Sequence, residues 1–246
     1  MQITQLPLGL KLRDDAIFDN FFIGCNEQIV EALKAFISKK SEQFIYCYGE
    51  LGVGRTHLLQ ACCHAASEKN ETIFYLPLSS YAEFSPAIFE DMEHQRYVCI
   101  DDVDAIVGNR EWEEALFHFY NRARENQVSL LVSAQKAPQQ LPFLLPDLQS
   151  RLTWGLVLEI KSLTDEEKID ALKMRAALRG FSVSTEVGNY LIRHYPRHMH
   201  DLFAVLEALD QASLAAKRRL TIPFVRSVMR NPLNYVNMPA SDDHKR

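Results

Sequence analysis

The sequence of 246 residues has no apolar run approaching the ~20 residues that cross a bilayer. Its opening, MQITQLPLGLKLRDD, also lacks the basic stretch and apolar core of a secretory signal. No membrane association and a cytoplasmic location are therefore expected. Cysteine is sparse: Cys25, Cys47, Cys62, Cys63 and Cys99 are odd in number and form no C-x-x-C pair. Neither a disulfide framework nor a zinc site is implied, and core thiols are expected. Positive charge is not in excess, with 27 Lys and Arg against 32 Asp and Glu, a net charge of −5. Phosphate backbones repel such a chain as a whole, so contact with nucleic acid would need a local basic patch, and a protein partner or a small ligand is favoured. Repeats and low-complexity tracts are missing too, and 47% hydrophobic with 24% charged residues excludes a disordered or collagen-like chain.

What is present is a change of pattern along the chain. Short β-branched and aromatic runs at Phe44 to Tyr48, Thr72 to Leu76, Tyr97 to Asp101, Leu130 to Ser133 and Leu156 to Ile160 alternate with helical stretches such as Thr56 to Ser67 and Glu111 to Glu125. That alternation predicts an α/β fold, a five-stranded parallel sheet covered by helices. Beyond Ile160 no strand-like run follows, and the pattern predicts a small all-helical lid domain. Its first helix opens on a capping box at Thr164 to Glu167 and its second near Ser184. A third, from about Met199 to Lys217, has Leu202, Val205, Leu206, Leu209 and Ala212 on one face, and Thr221 opens a short last helix. The proline-rich stretch Ala134 to Pro146 is expected to be an irregular surface loop or bend.

Two motifs carry chemistry. Gly49 to Thr56 reads GELGVGRT, the phosphate-binding pattern G-x-x-x-x-G-K-[ST] with Arg55 in place of lysine. Gly49, Leu51, Gly52, Val53, Gly54, Arg55, Thr56 and the next residue, His57, are the candidate nucleotide cradle. Backbone amides there curl around phosphate, the helix start adds its dipole, and Thr56 would hold Mg2+. A guanidinium is a wide planar fork where lysine is a compact charge, so binding is expected to survive the exchange better than hydrolysis. The second motif, YVCIDD at Tyr97 to Asp102, is an apolar strand ending in two carboxylates. Asp101 is the metal-side candidate, and Asp102 the candidate for orienting an attacking water.

With the helical lid, these landmarks resemble the AAA+ ATPases and, within them, the bacterial initiator DnaA. FDNFFIGCN at 18–26 resembles the segment that packs on adenine, through Phe18, Phe22 and Ile23. EEALFHFYNR at 113–122 and LLVSA at 130–134 resemble the helix after the acidic strand and the sensor 1 strand. PDLQSRL at 146–152, followed by Trp154 and Gly155, resembles the box bearing the arginine finger. The resemblance implies that Arg151 reaches a neighbouring subunit's γ-phosphate; alternatively it pairs with Asp147. HMHDLFAVL resembles the sensor 2 helix, with His200 where an arginine usually stands and Arg197 one turn earlier, so either is a candidate for the nucleotide.

No helix-turn-helix domain follows the lid, and no sequence-specific duplex binding is expected. QLPLGL at 5–10 resembles the peptide that docks on the sliding clamp, the β subunit of the polymerase, through Gln5, Leu6, Leu8 and Leu10. Together these features resemble the Hda family of DnaA-related regulators. That implies a clamp-binding arm (1–14), an AAA+ core (15–161), a lid (162–235) and a disordered tail (236–246). It also implies ADP or ATP with Mg2+ as cofactors, and DnaA and the clamp as partners. The assembly would be a monomer or a nucleotide-dependent homo-oligomer, with weak or no intrinsic hydrolysis. The alternative is an autonomous ATPase such as a DnaC-like helicase loader.

Overall fold

The computed structural model describes residues 12–38 and 42–230. The chain divides between Ser162 and Leu163 into two compact units. Gln5, Leu6, Leu8 and Leu10 of the expected clamp-binding arm, and the expected tail at 236–246, lie outside the described residues.

In the first unit, β1 (Phe44–Tyr48), β2 (Ile73–Pro77), β3 (Tyr97–Asp101), β4 (Ser129–Ala134) and β5 (Leu156–Glu159) form a single parallel sheet in the order β2-β3-β4-β1-β5. The α/β reading holds, with strand bounds within a residue of those expected. The period-2 alternation of a strand sends neighbouring side chains to opposite faces. Phe44, Tyr46, Val98, Ile100, Leu130 and Val132 pack on one face against Trp112, Leu116, Phe119 and Tyr120 of α3 (Arg110–Glu125). Ile45, Cys47, Tyr97, Cys99 and Leu131 pack on the other face against α1 (Glu27–Ile37) and α2 (Arg55–Glu68). Every residue of β3 and β4 is buried, as two covered faces require. Four of the five cysteines, Cys47, Cys62, Cys63 and Cys99, are the expected core thiols, while Cys25 is exposed. Burial pushes the thiols of Cys47 and Cys62 well up, so both stay protonated.

α1 was not expected from the sequence, although Ile29, Val30, Leu33, Phe36 and Ile37 bury one helical face. The stretch 134–146 is largely irregular, with one 3-10 turn at Pro138–Gln140, before α4 (Pro146–Leu152) begins on its proline. At Gly155, between α4 and β5, a β-carbon would lie 2.1 Å from the Phe44 carbonyl oxygen, so only glycine lets this turn lie against the start of β1.

Among its described residues the second unit is all helical: α5 (Asp165–Leu178), α6 (Thr185–His194), α7 (Met199–Ala216) and α8 (Ile222–Arg230). Thr164 and Glu167 make both halves of the expected capping box, at 3.2 and 2.8 Å. Ser184 caps α6 through the Val187 amide, whereas His198, just before α7, gives it no side-chain cap. The five α7 residues expected on one face are all buried in a core shared with α5, α6 and α8.

Candidate functional site

The sheet order sets where a ligand fits. From β1 the chain crosses to β2 at the far edge, while from β4 it crosses the other way to β5. The carboxyl ends of β1 and β4 therefore open a crevice at a topological switch point, the usual ligand position in an open parallel sheet. The GELGVGRT loop runs from the end of β1 into α2 at this crevice. Gly52 and Gly54 have φ of 82° and 101°, values that L side chains avoid. A β-carbon at Gly54 would also stand 2.7 Å from the Phe21 ring. No side chain caps the first amides of α2. An uncapped helix start behind a glycine loop fits phosphate, because its amides and its dipole both favour an anion there.

Arg55 is 6% exposed, and its guanidinium spans the site. It donates to the Gly49 carbonyl at 2.5 Å and to the Asp102 carboxylate at 2.8 Å. Asp102, just past β3, has a left-handed backbone (φ 55°, ψ 53°) and donates its amide to Ser133 Oγ at 3.0 Å. Burial and the neighbouring Asp101 push its carboxyl up to about 6, while Arg55 pulls it back. Asp101 is 1% exposed and accepts from both sides, from the Ser133 hydroxyl and from the Tyr75 hydroxyl at 2.8 Å. Ionised, it retains lone pairs for a hydrated cation, and the two hydroxyls hold its orientation. Thr56 is exposed in the first turn of α2 and open to the same role. The acidic pair, the hydroxyl and the glycine loop are a donor set that fits a nucleotide with Mg2+.

Leu51 is exposed at the tip of the loop and Val53 is half-buried beneath it. His57 Nε2 lies 2.9 Å from the Ile17 carbonyl, with its ring 5.6 Å from that of Phe21. Phe18 is half-buried, with Lys34 Nζ 5.5 Å from its ring centre. Phe22 is half-buried and Ile23 exposed. The ring that stands against the glycine loop is that of Phe21, a residue of FDNFFIGCN outside the expected Phe18, Phe22 and Ile23. Buried Asn26 bonds reciprocally with the backbone of Lys161, at 3.0 and 2.8 Å, tying this segment to the chain after β5.

Arg151 stands elsewhere. It lines a small cavity with Phe44, Tyr120, Leu130 and Gly155, three of which lie at strand starts, whereas the glycine loop follows the end of β1. Four residue steps along β1 place roughly 13 Å between those ends. Two side chains brace the helix that carries Arg151. Fully buried Glu113 accepts from the amides of Gly108 and Leu145, each at 2.8 Å, and Gln149 donates to the carbonyls of Pro138 and Leu141, each at 3.0 Å. The Arg151 guanidinium lies 3.9 Å from the Trp154 ring centre. Among the described residues no carboxylate pairs with it, Asp147 included.

In the second unit, Arg197 is 65% exposed and pairs with Asp165 at 3.6 Å, a surface contact worth little. His200 is exposed in the first turn of α7. Among the described residues no helix is long and apolar enough to cross a membrane.

A family model of the bacterial DnaA ATPase domain matches residues 12–159, and one described as Hda, lid domain, matches residues 165–229. A Haemophilus influenzae protein of unassigned function is 44% identical over 226 residues, 92% of this chain and 98% of that protein. Domain III of the Thermotoga maritima replication initiation protein DnaA superposes with a TM-score of 0.78 at 19% identity, covering 90% of this chain and 98% of that one. AMPPCP-bound DnaA from Aquifex aeolicus superposes with a TM-score of 0.73 at 19% identity, covering 91% of this chain and 72% of that one. At that identity the structural likeness speaks for the fold, which is that of an AAA+ core followed by a helical lid.

Proposed function

The chain belongs to the bacterial DnaA ATPase-domain family and carries an Hda lid domain, and from that premise we propose that it is a nucleotide-bound AAA+ adaptor. It links the sliding clamp to DnaA and stimulates hydrolysis of DnaA-bound ATP, which limits re-initiation of replication. Arg151 is the catalytic group, an arginine finger acting in trans. The observation that carries this reading is the placement of two of its arginines: Arg55 is tied into the chain's own crevice, and Arg151 stands at the opposite end of the sheet, paired with no carboxylate among the described residues.

A finger so far from its own phosphate cradle serves a neighbour's triphosphate, where a cation on the transferred phosphoryl is worth about 10³- to 10⁵-fold in rate. The chain's own site holds ADP or ATP with Mg2+. The glycine loop cradles the phosphates, Thr56 and Asp101 hold the hydrated cation, and Phe18, Phe22 and Ile23 flank the base. A bound nucleotide would supply the phosphate charge that the loop's amides are placed to hold. With Arg55 on Asp102, and with Asp102 one methylene shorter than a glutamate, intrinsic hydrolysis is weak and ADP is the resident ligand. Gln5, Leu6, Leu8 and Leu10 dock on the clamp, and tethering raises the local concentration of Arg151 around DnaA on nearby DNA.

The test is a pull-down with the sliding clamp, coupled to a phosphate-release assay on DnaA preloaded with labelled ATP. The wild-type chain with ADP binds the clamp and accelerates release; Gln5→Ala loses the clamp and most of the acceleration on clamp-loaded DNA. Equal behaviour of the two proteins, together with rapid turnover by the chain alone, would point to a helicase loader or an autonomous ATPase.

A further inference from the structure

A finger that must carry charge to another molecule faces a conflict. An arginine free in solvent loses much of its orientation, and one paired with its own carboxylate has its charge neutralised before it arrives. Among the described residues, the surroundings of Arg151 resolve this without a carboxylate. Its guanidinium carbon lies 3.9 Å from the Trp154 ring centre and 6.0 Å from that of Phe117. Arg124 shares the same indole at 5.0 Å. A π face attracts a cation while leaving its N–H donors available for a phosphate.

The backbone that carries the indole is itself held in place. The Trp154 amide donates to the Arg151 carbonyl at 3.0 Å and the Thr153 hydroxyl to that of Ser150 at 2.6 Å, closing the end of α4. Gly155 then presses the turn against the start of β1. Trp154 is nonetheless 52% exposed, although burial would favour so large an apolar ring.

We infer that Trp154 is a positioning residue for Arg151, holding the guanidinium on its indole face in an oriented, uncompensated state until a partner's phosphate takes it over. The inference rests on the finger reading above and adds the group that makes the finger ready. Arg124, on the same ring, adds a second positive charge, which strengthens the attraction of this face for a partner's phosphate.

The test titrates the full-length chain against the partner ATPase carrying labelled triphosphate and separates the plateau rate from the half-maximal concentration. Trp154→Ala should lower the plateau about tenfold, as loss of orientation in a reacting group does, and leave the half-maximal concentration within about twofold. Trp154→Phe, which keeps a π face, should recover the plateau to within about threefold. A second readout needs no partner. Trp112 is 4% exposed, so acrylamide reaches Trp154 alone, and Arg151→Ala should shift the emission of that accessible component. A wild-type plateau for Trp154→Ala beside an inactive Arg151→Ala overturns the inference and leaves the finger standing. A change confined to the half-maximal concentration overturns it too, since Trp154 would then be a docking contact. So does accessible emission that ignores Arg151→Ala. Full stimulation by Arg151→Ala removes the finger reading, and this inference with it.

Discussion

Arg55, at the start of α2, is 6% exposed and its guanidinium is committed to the Gly49 carbonyl and the Asp102 carboxylate; the guanidinium of Arg151, in the last turn of α4, lies against the Trp154 and Phe117 rings and, among the described residues, pairs with no carboxylate. Both positions carry an obligate cation, and what differs is the counter-charge. At the crevice, the positive charge of Arg55 is internally balanced, and the balance closes the loop around the end of β3. At the opposite end of the sheet, the charge of Arg151 is left open and only its direction is held. On the proposed reading a single residue type is a structural strut at one end and a group offered to a partner at the other, and the difference follows from whether a carboxylate lies within reach.

The sharpest way to break this comparison is to remove each arginine and look for effects that do not cross over. Arg151→Ala should lower stimulated hydrolysis of the partner's ATP by about 10³-fold, read by phosphate release, while ADP binding to the chain itself is unchanged. Its stability should move by less than about 0.5 kcal/mol, since no buried polar partner is orphaned. Arg55→Ala should do the reverse. It strands Asp102 beside Asp101 and costs about 2 to 3 kcal/mol in urea unfolding, at or below the usual cost of breaking a buried pair because Asp102 keeps 26% exposure. A milder perturbation of the same end is Gly54→Ala, where a φ of 101° and the Phe21 ring both oppose a β-carbon. It should cost about 1 to 2 kcal/mol and weaken nucleotide binding, measured by calorimetry. The smallest effect belongs to neither arginine: Thr164→Ala removes half of the α5 capping box and should cost about 1 kcal/mol of stability with stimulated hydrolysis intact. Loss of stimulation in that variant would tie the lid's helix start to the finger's work.

How much of this was legible in the sequence follows from how local each feature is. The five strands, the glycine loop, the acidic pair and the capping box are written in consecutive residues, and the structure has all of them. α1 was equally local, its apolar spacing at Ile29, Leu33 and Phe36 being that of a helix face, but the reading of FDNFFIGCN stopped at Asn26. The contacts that give the site its character are not local. Arg55 and Asp102 are 47 residues apart, Ser133 and Asp101 32, and Glu113 and Leu145 32. No pattern in one sequence reports which strand end faces which. Arg151 shows how local reasoning reaches its limit: Asp147, four residues earlier on the same helix, was the obvious alternative partner, yet the turn fixed by Gly155 brings Trp154 beneath the guanidinium. A tryptophan next to a candidate finger was visible in the sequence, but its contact depends on that backbone geometry.

The most direct test labels the two triphosphate pools separately. DnaA is loaded with ATP carrying one γ-phosphate isotope and the adaptor with ATP carrying another, the two are mixed on clamp-loaded DNA, and release of each isotope is followed in a single turnover. The account predicts rapid release of the DnaA-borne label, abolished by Arg151→Ala, with the adaptor's own label retained. Rapid release of the adaptor's label, or release of the DnaA label that ignores Arg151, would contradict it.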